Sequence, residues 1–252
     1  MNRIFLTVLL AGIFFLEGCI KTPVSSPQVL LTKWTYVGTG TRKYDYDSER
    51  RLTFSTYIPV KGAGSTFHYS DFNTSGAPMY YYFSHASDPA NIIHYRPEYD
   101  ESGRLSIVNI YDAANNLTEY KKYNYLPGQV VQHTYAATGI LTTEIRHYVN
   151  AAGNITTSDF YNGSGTLQQR RTYSLFDDKK SVKSLLPAVE GRDSYSENNY
   201  QAYTIFDGFT GITHSYTCAY AYNARDFVTR QTITNSTTGS VSVQTFDYVI
   251  TP

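Results

Sequence analysis

The chain has 252 residues, with 21 Lys plus Arg against 21 Asp plus Glu, zero formal net charge, and 25 Tyr beside 13 Phe and one Trp. That balance leaves no basic surface for nucleic acid and no acidic tail for a cationic partner, and two cysteines are too few for a disulfide framework. Stability must come from burial and strand pairing, with aromatic mass replacing part of an aliphatic core.

Met1 to Gly18 reads as an export signal. Asn2-Arg3 is its short basic start, and Ile4 to Leu16 is an apolar run of thirteen residues, too short to span a bilayer as a stable helix. It ends in Leu16-Glu17-Gly18-Cys19, which resembles a bacterial lipobox, although Glu17 stands where a small residue is usual. The resemblance implies that Cys19 is lipidated, becomes the first mature residue and ties the chain to a membrane. The alternative is an ordinary secretory signal with an incidental cysteine. Residues 19–28, with Pro23, Ser25, Ser26 and Pro27, read as a tether. No acidic cluster follows the cysteine, unlike many surface-directed Bacteroidetes lipoproteins. This points to the periplasmic face of the outer membrane.

From Val29 to the C-terminus one grammar recurs, which predicts a single β-repeat domain over 29–252. After a first strand around Trp34, the run Tyr46 to Leu52 introduces a spacing that becomes regular further on. Tyr99, Tyr111, Tyr123, Tyr135, Tyr148, Tyr161 and Tyr173 follow one another at steps of twelve or thirteen residues. Most are followed by turn formers and then an aliphatic residue, as in Tyr99-Asp-Glu-Ser-Gly-Arg-Leu105 and Tyr161-Asn-Gly-Ser-Gly-Thr-Leu167. Asp or Asn after the Tyr can bond its own backbone, and Gly103, Gly153 and Gly165 tolerate positive φ, so each cluster reverses the chain cheaply. The segments between are of strand length and rich in Thr, Tyr, Ile and Val. Period two puts Leu105, Ile107 and Tyr111 on one face, and Leu167, Gln169, Arg171 and Tyr173 on one face of another strand. Turns every dozen residues would cut any helix to two turns.

Two stretches interrupt the rhythm. The first, Lys61 to Asn91, contains Tyr80-Tyr81-Tyr82-Phe83, whose four rings cannot all face one side of a strand. They are read as a central strand packed on both faces, with a stacking platform for a sugar or peptide as the functional alternative. The second runs from Leu175 to Asn199. Val182, Leu185 and Leu186 have helical spacing there, with Asp177 or Asp178 as cap and Pro187 as stop, predicting a short helical insertion near 177–187 that plugs a face or end of the sheet. Cys218 is expected to be a small buried strand residue.

Chemistry-bearing patterns are sparse. The histidines show no metal-ligand spacing. Asp45-Tyr-Asp47-Ser-Glu49 begins like a calcium loop, but Arg50 stands where Gly is needed and Thr56 where the closing Glu belongs. Gly-x-Gly at Gly38, Gly62 and Gly163 precedes no helix. No Gly-x-Ser-x-Gly elbow occurs. No metal or other cofactor and no catalytic residue is expected.

Tyr-Asp-x-x-Gly-Arg-Leu at Tyr99 to Leu105 resembles the YD-repeat signature of Rhs-type proteins, with weaker copies at Tyr46, Tyr111, Tyr148, Tyr161 and Tyr222. Phe176-Asp-Asp-Lys-Lys with Ser196-Glu-Asn-Asn199 is similar to a segment of small Bacteroidetes lipoproteins of unassigned function. The resemblance implies a continuous antiparallel sheet, which in the large Rhs proteins winds into a shell. The sequence therefore predicts an all-β antiparallel meander of a dozen or more strands, curling toward a half-barrel. The expected function is a non-catalytic binding or scaffolding module with a carbohydrate or protein partner. The alternatives are a glycan-active hydrolase with unrecognised carboxylates and an accessory subunit of an outer-membrane complex.

Overall fold

The structure, a computed structural model, describes residues 28–189 and 196–251. Its strands are β1 (Gln28–Tyr36), β2 (Gly40–Tyr46), β3 (Leu52–Pro59), β4 (Ser65–Phe72), β5 (Pro78–His85), β6 (Asp88–Tyr99), β7 (Leu105–Tyr111) and β8 (Leu117–Leu126) in the first half. The second half adds β9 (Gln129–Ala136), β10 (Leu141–Val149), β11 (Ile155–Asn162), β12 (Leu167–Lys180), β13 (Asn198–Asp207), β14 (Thr213–Tyr222), β15 (Val228–Asn235) and β16 (Val241–Thr251). Each strand pairs with the next in antiparallel register. β16 also pairs with β1, from Thr251 opposite Gln28 to Gln244 opposite Tyr36, and closes the sheet into a barrel. The expected half-barrel is corrected to full closure. With an even number of strands the last runs antiparallel to the first, and pairing them removes both exposed edges of an open meander. β1 starts at Gln28, one residue inside the expected tether.

The chain enters β1 at one end of the barrel, here called proximal, and every even-to-odd connection lies at that same end. Five of these connections share one turn. Asp47, Asn73, Asp100, Asn150 and Asn223 each accept backbone N–H bonds on the side-chain oxygen from the second and fourth residues that follow. The third residue after each is left-handed: Arg50 (φ 66), Gly76 (φ 79), Gly103 (φ 75), Gly153 (φ 78) and Asp226 (φ 64). This accounts for the Asp-x-x-Gly signature and for its weaker copies after Tyr46 and Tyr222, where Arg50 and Asp226 take the left-handed place of glycine, and it adds a copy at Asn73, where Phe72 stands in the tyrosine's place.

At four of these turns the strand that follows opens with two residues opposite one. The bulge shifts the alternation. Buried positions become the first and fourth of the strand: Leu52 and Ser55, Leu105 and Val108, Ile155 and Ser158, Val228 and Gln231. Leu105 is therefore joined inside by Val108 and Ile110, not by Ile107 as strict alternation expected.

The β12–β13 connection is also proximal. The expected helical insertion shrinks to one 3₁₀ turn, Val182–Leu185. Asp177 and Asp178 still belong to β12, and Ser181 caps the turn by accepting the Lys183 N–H. Asp177 instead clasps the base of the insertion, accepting the backbone N–H groups of Lys179 and Asn199 and the Tyr222 phenol. The returning chain is pinned by Ser196, which accepts the Ile155 N–H, and by reciprocal bonds between Asn154 and Asn198. The plugging role is as expected. Val182 is buried against Leu31, Leu52, Val228 and Phe246, and Val189 touches both this cluster and the one around Leu105.

Candidate functional site

Above the plug lies a cavity of about 500 Å³, partly open to solvent. Its walls come from inward positions of β1, β2, β4 to β8, β13, β15 and β16, and Lys183, Leu186 and Val189 of the insertion form its floor. A sixteen-stranded barrel is wide enough for an aqueous channel. Here long aromatic side chains fill much of that width. Tyr81 stacks on Tyr95 with centroids 4.5 Å apart and planes 5° apart, and its ring lies 5.4 Å from that of Tyr69. On β1 Trp34 stacks on Tyr36 at 5.2 Å, and the Trp34 indole N–H donates to Gln244 Oε1 at 2.9 Å.

Three cationic side chains share this lining, Arg42 from β2, Lys121 from β8 and Lys183 from the floor, and no carboxylate among the described residues does. Arg42 donates to Ser55 Oγ at 3.0 Å and lies 6.0 Å from the ring centre of Phe67. Lys121 pairs with Glu119 at 3.6 Å. The arrangement offers ring faces, amides at Gln231 and Gln244, and positive charge from β2, β8 and the insertion. It holds no nucleophile–base pair, and no group of three His, Cys, Asp or Glu among the described residues is placed to hold a metal. Cys218 is buried as expected, and burial pushes its thiol up to about 11, so it stays protonated and unreactive near neutrality.

The candidate quartet splits by strand alternation. Tyr81 and Phe83 point inward, Tyr81 into the cavity wall and Phe83 onto Phe67 at 5.0 Å. Tyr80 and Tyr82 point outward, where the Tyr80 phenol meets His94 Nδ1 at 2.6 Å and Tyr82 packs edge-on to His68 at 4.8 Å. No single platform forms from the four. Cys19 lies outside the described residues. The sequence reading missed Trp34, Arg42, Lys121 and Lys183. A signal was present for two of them, because Arg42 and Lys121 sit in phase with Tyr44 and Tyr123, on the face that alternation assigns to the interior.

The outer wall has the opposite character. Lys33, Lys43, Arg96, Lys122, Arg146, Arg170 and Arg230 alternate with inward residues and face out, some paired, as Lys33 with Asp247 and Arg170 with Asp159. Each Arg or Lys on a lipid-facing wall costs about 2–4 kcal/mol near the bilayer midplane. Seven at that depth would sum to about 14–28 kcal/mol, as much as or more than a typical net stability of about 5–15 kcal/mol.

No protein-family profile matches the sequence, and no curated protein does. Among solved structures, the chain is similar to a porin-like protein from Bacteroides uniformis ATCC 8492, with 12% identity, a TM-score of 0.53, and coverage of 87% of this chain and 96% of that one. A porin-like protein from Bacteroides vulgatus ATCC 8482 aligns over 87% of this chain and 99% of that one, with 11% identity and a TM-score of 0.48. At such identity the first likeness establishes the all-β barrel fold alone.

Proposed function

We propose that this chain is a non-catalytic envelope lipoprotein, anchored at the outer membrane through Cys19 and working as a binding module whose ligand sits inside the barrel. The observation that carries this reading is the aromatic cavity above the plug, whose lining holds three cations and two amides and, among the described residues, no carboxylate, although Lys121 is paired with Glu119 beside it. Glycan hydrolysis would ask for two carboxylates about 5–10 Å apart flanking the sugar. A charged outer wall keeps the barrel in water, so attachment falls to the acyl chains on Cys19, a sufficient anchor where two or more chains are attached.

Two measurements test this. The full chain should fractionate with membranes and be released by Cys19→Ala. The purified full chain should retain a small molecule detectable by native mass spectrometry, and Lys121→Glu should lose it. Turnover of an envelope polymer that disappears on neutralising one acidic residue would overturn the non-catalytic reading.

A further inference from the structure

The ligand class can be narrowed from the lining itself, on the premise that the lumen is the binding site. Aliphatic side chains are a minority there, and Tyr, Trp and Phe form the largest group in the wall. An acyl chain would leave the phenols, and the amide atoms of Gln231 and Gln244 beyond those bonded to Tyr220 and Trp34, facing carbon, and each polar group so stranded costs free energy. Sugar rings suit such a wall, since their C–H faces stack on aromatic rings while their hydroxyls bond amides and phenols. The flat pair Tyr81–Tyr95 and the stacked Trp34–Tyr36 provide such faces on two walls.

Charge decides between neutral and acidic sugars. Arg42 and Lys121 reach the cavity from strands six positions apart in the barrel, and Lys183 rises from the floor. A single phosphate is best held by donors gathered at one spot. Cations set on separate elements suit a ligand with negative charge on more than one side, as in a chain of sugar acids whose carboxylates alternate along its length, and at Lys121 such a carboxylate would compete with Glu119, 3.6 Å away. About 500 Å³ falls within the range of small-molecule sites and is enough for roughly two rings. We propose that the cavity binds a short acidic saccharide of uronic-acid type, stacked between the aromatic walls, with its carboxylates directed to Arg42, Lys121 and Lys183.

Trp34 is the only tryptophan, so its fluorescence reports on the cavity directly. The full chain would be titrated with digalacturonic acid, its dimethyl ester, laurate and uridine monophosphate. The expected result is a saturable change with digalacturonate, at least tenfold weaker binding of the uncharged ester, and further weakening as salt rises. Lys121→Gln and Lys183→Gln should each weaken digalacturonate binding about tenfold while leaving the circular dichroism spectrum unchanged. The wild-type panel stands alone if either variant fails to fold. Equal affinity for acid and ester, or saturation by laurate or the nucleotide alone, would overturn the saccharide assignment while leaving a lumenal site in place. A Trp34 signal unmoved by every probe, together with no small molecule retained by the purified chain, would remove the lumenal site as well.

Discussion

Asp100 shows how much one side chain does in this fold. Its Oδ1 accepts the backbone N–H groups of Ser102 and Arg104, and its Oδ2 takes the Arg104 guanidinium at 2.7–2.8 Å. Arg104 then lies 4.3 Å from the ring centre of Tyr125. Arg51 repeats the pattern with Asp47 and Phe72. The Arg104 side chain, and next its backbone N–H, hold the Asp100 carboxyl below the ordinary 3.8. A carboxyl depressed in the folded state stabilises the fold fully above its unfolded pKa, and that stabilisation is lost as pH falls through the lower folded value. Asn occupies the same position at Asn73, Asn150 and Asn223 and makes the backbone bonds without titrating. Asp100→Asn should therefore keep most stability at pH 7 and lose less of it below pH 4 than the parent chain, whereas Asp100→Ala should be destabilised at both. Urea midpoints across that pH range check this, and an Asn variant with the parent's acid limb would refute it.

Among elements, the insertion after β12 does most to separate this barrel from an empty tube. Val182 is buried in the cluster that joins β1, β2, β3, β15 and β16, and the insertion's base is held by Asp177, Ser196 and Asn198. Shortening Val182 removes buried methyls where the surrounding strands cannot collapse inward, at a cost of about 2 kcal/mol. Val182→Ala should lower the urea midpoint accordingly. It should also shift the emission of Trp34, which packs against the same cluster. A loss of stability without any change at Trp34 would mean that the plug does not shape the cavity.

Across the whole molecule, a belt of phenols at the proximal end ties even strands to the odd strands before them. Tyr46, Tyr99, Tyr125, Tyr220 and Tyr248, all on even strands, donate to the carbonyls of Leu31, Pro78, Leu105, Tyr200 and Val228 near the starts of the preceding odd strands, at 2.6–3.0 Å. Leu31, Leu105 and Val228 lie at bulges, where the ladder is interrupted and a carbonyl needs another donor. Burial pushes the Tyr99 and Tyr203 phenols up to about 12, and raises those of Tyr220 and Tyr248 as well. A phenol raised in the folded state stabilises the barrel fully below the unfolded value of 10.0, and the contribution is lost as pH climbs through the folded one. The barrel should hold its stability to about pH 9 and then lose it steeply between about 10 and 12. Phenolate absorbance should rise together with the loss of β-sheet circular dichroism. Phenols that ionise near pH 10 with the fold intact would show that the belt does not matter.

Much of this was legible in the chain itself. Asp, Asn and Gly at fixed places after a tyrosine dictate the turns, because Asx side chains and left-handed residues act on backbone only a few residues away. The strand lengths between turns followed from the same local grammar, and the burial of Cys218 from the preference of a free thiol for the interior. Three things did not. The seven regularly spaced tyrosines do not form one packed face: Tyr123 lines the cavity, while Tyr135 stacks on Tyr120 outside and Tyr161 lies beneath Arg146. A bulge after a turn slips the phase by one residue, and alternation read along a single strand cannot show what its neighbour does. Closure depends on β1 meeting β16, a pairing of residues more than two hundred positions apart that no local signal encodes. The cavity's chemistry depends on which inward residues of β2, β8 and the insertion face one another, and only a sheet bent into a ring brings them together.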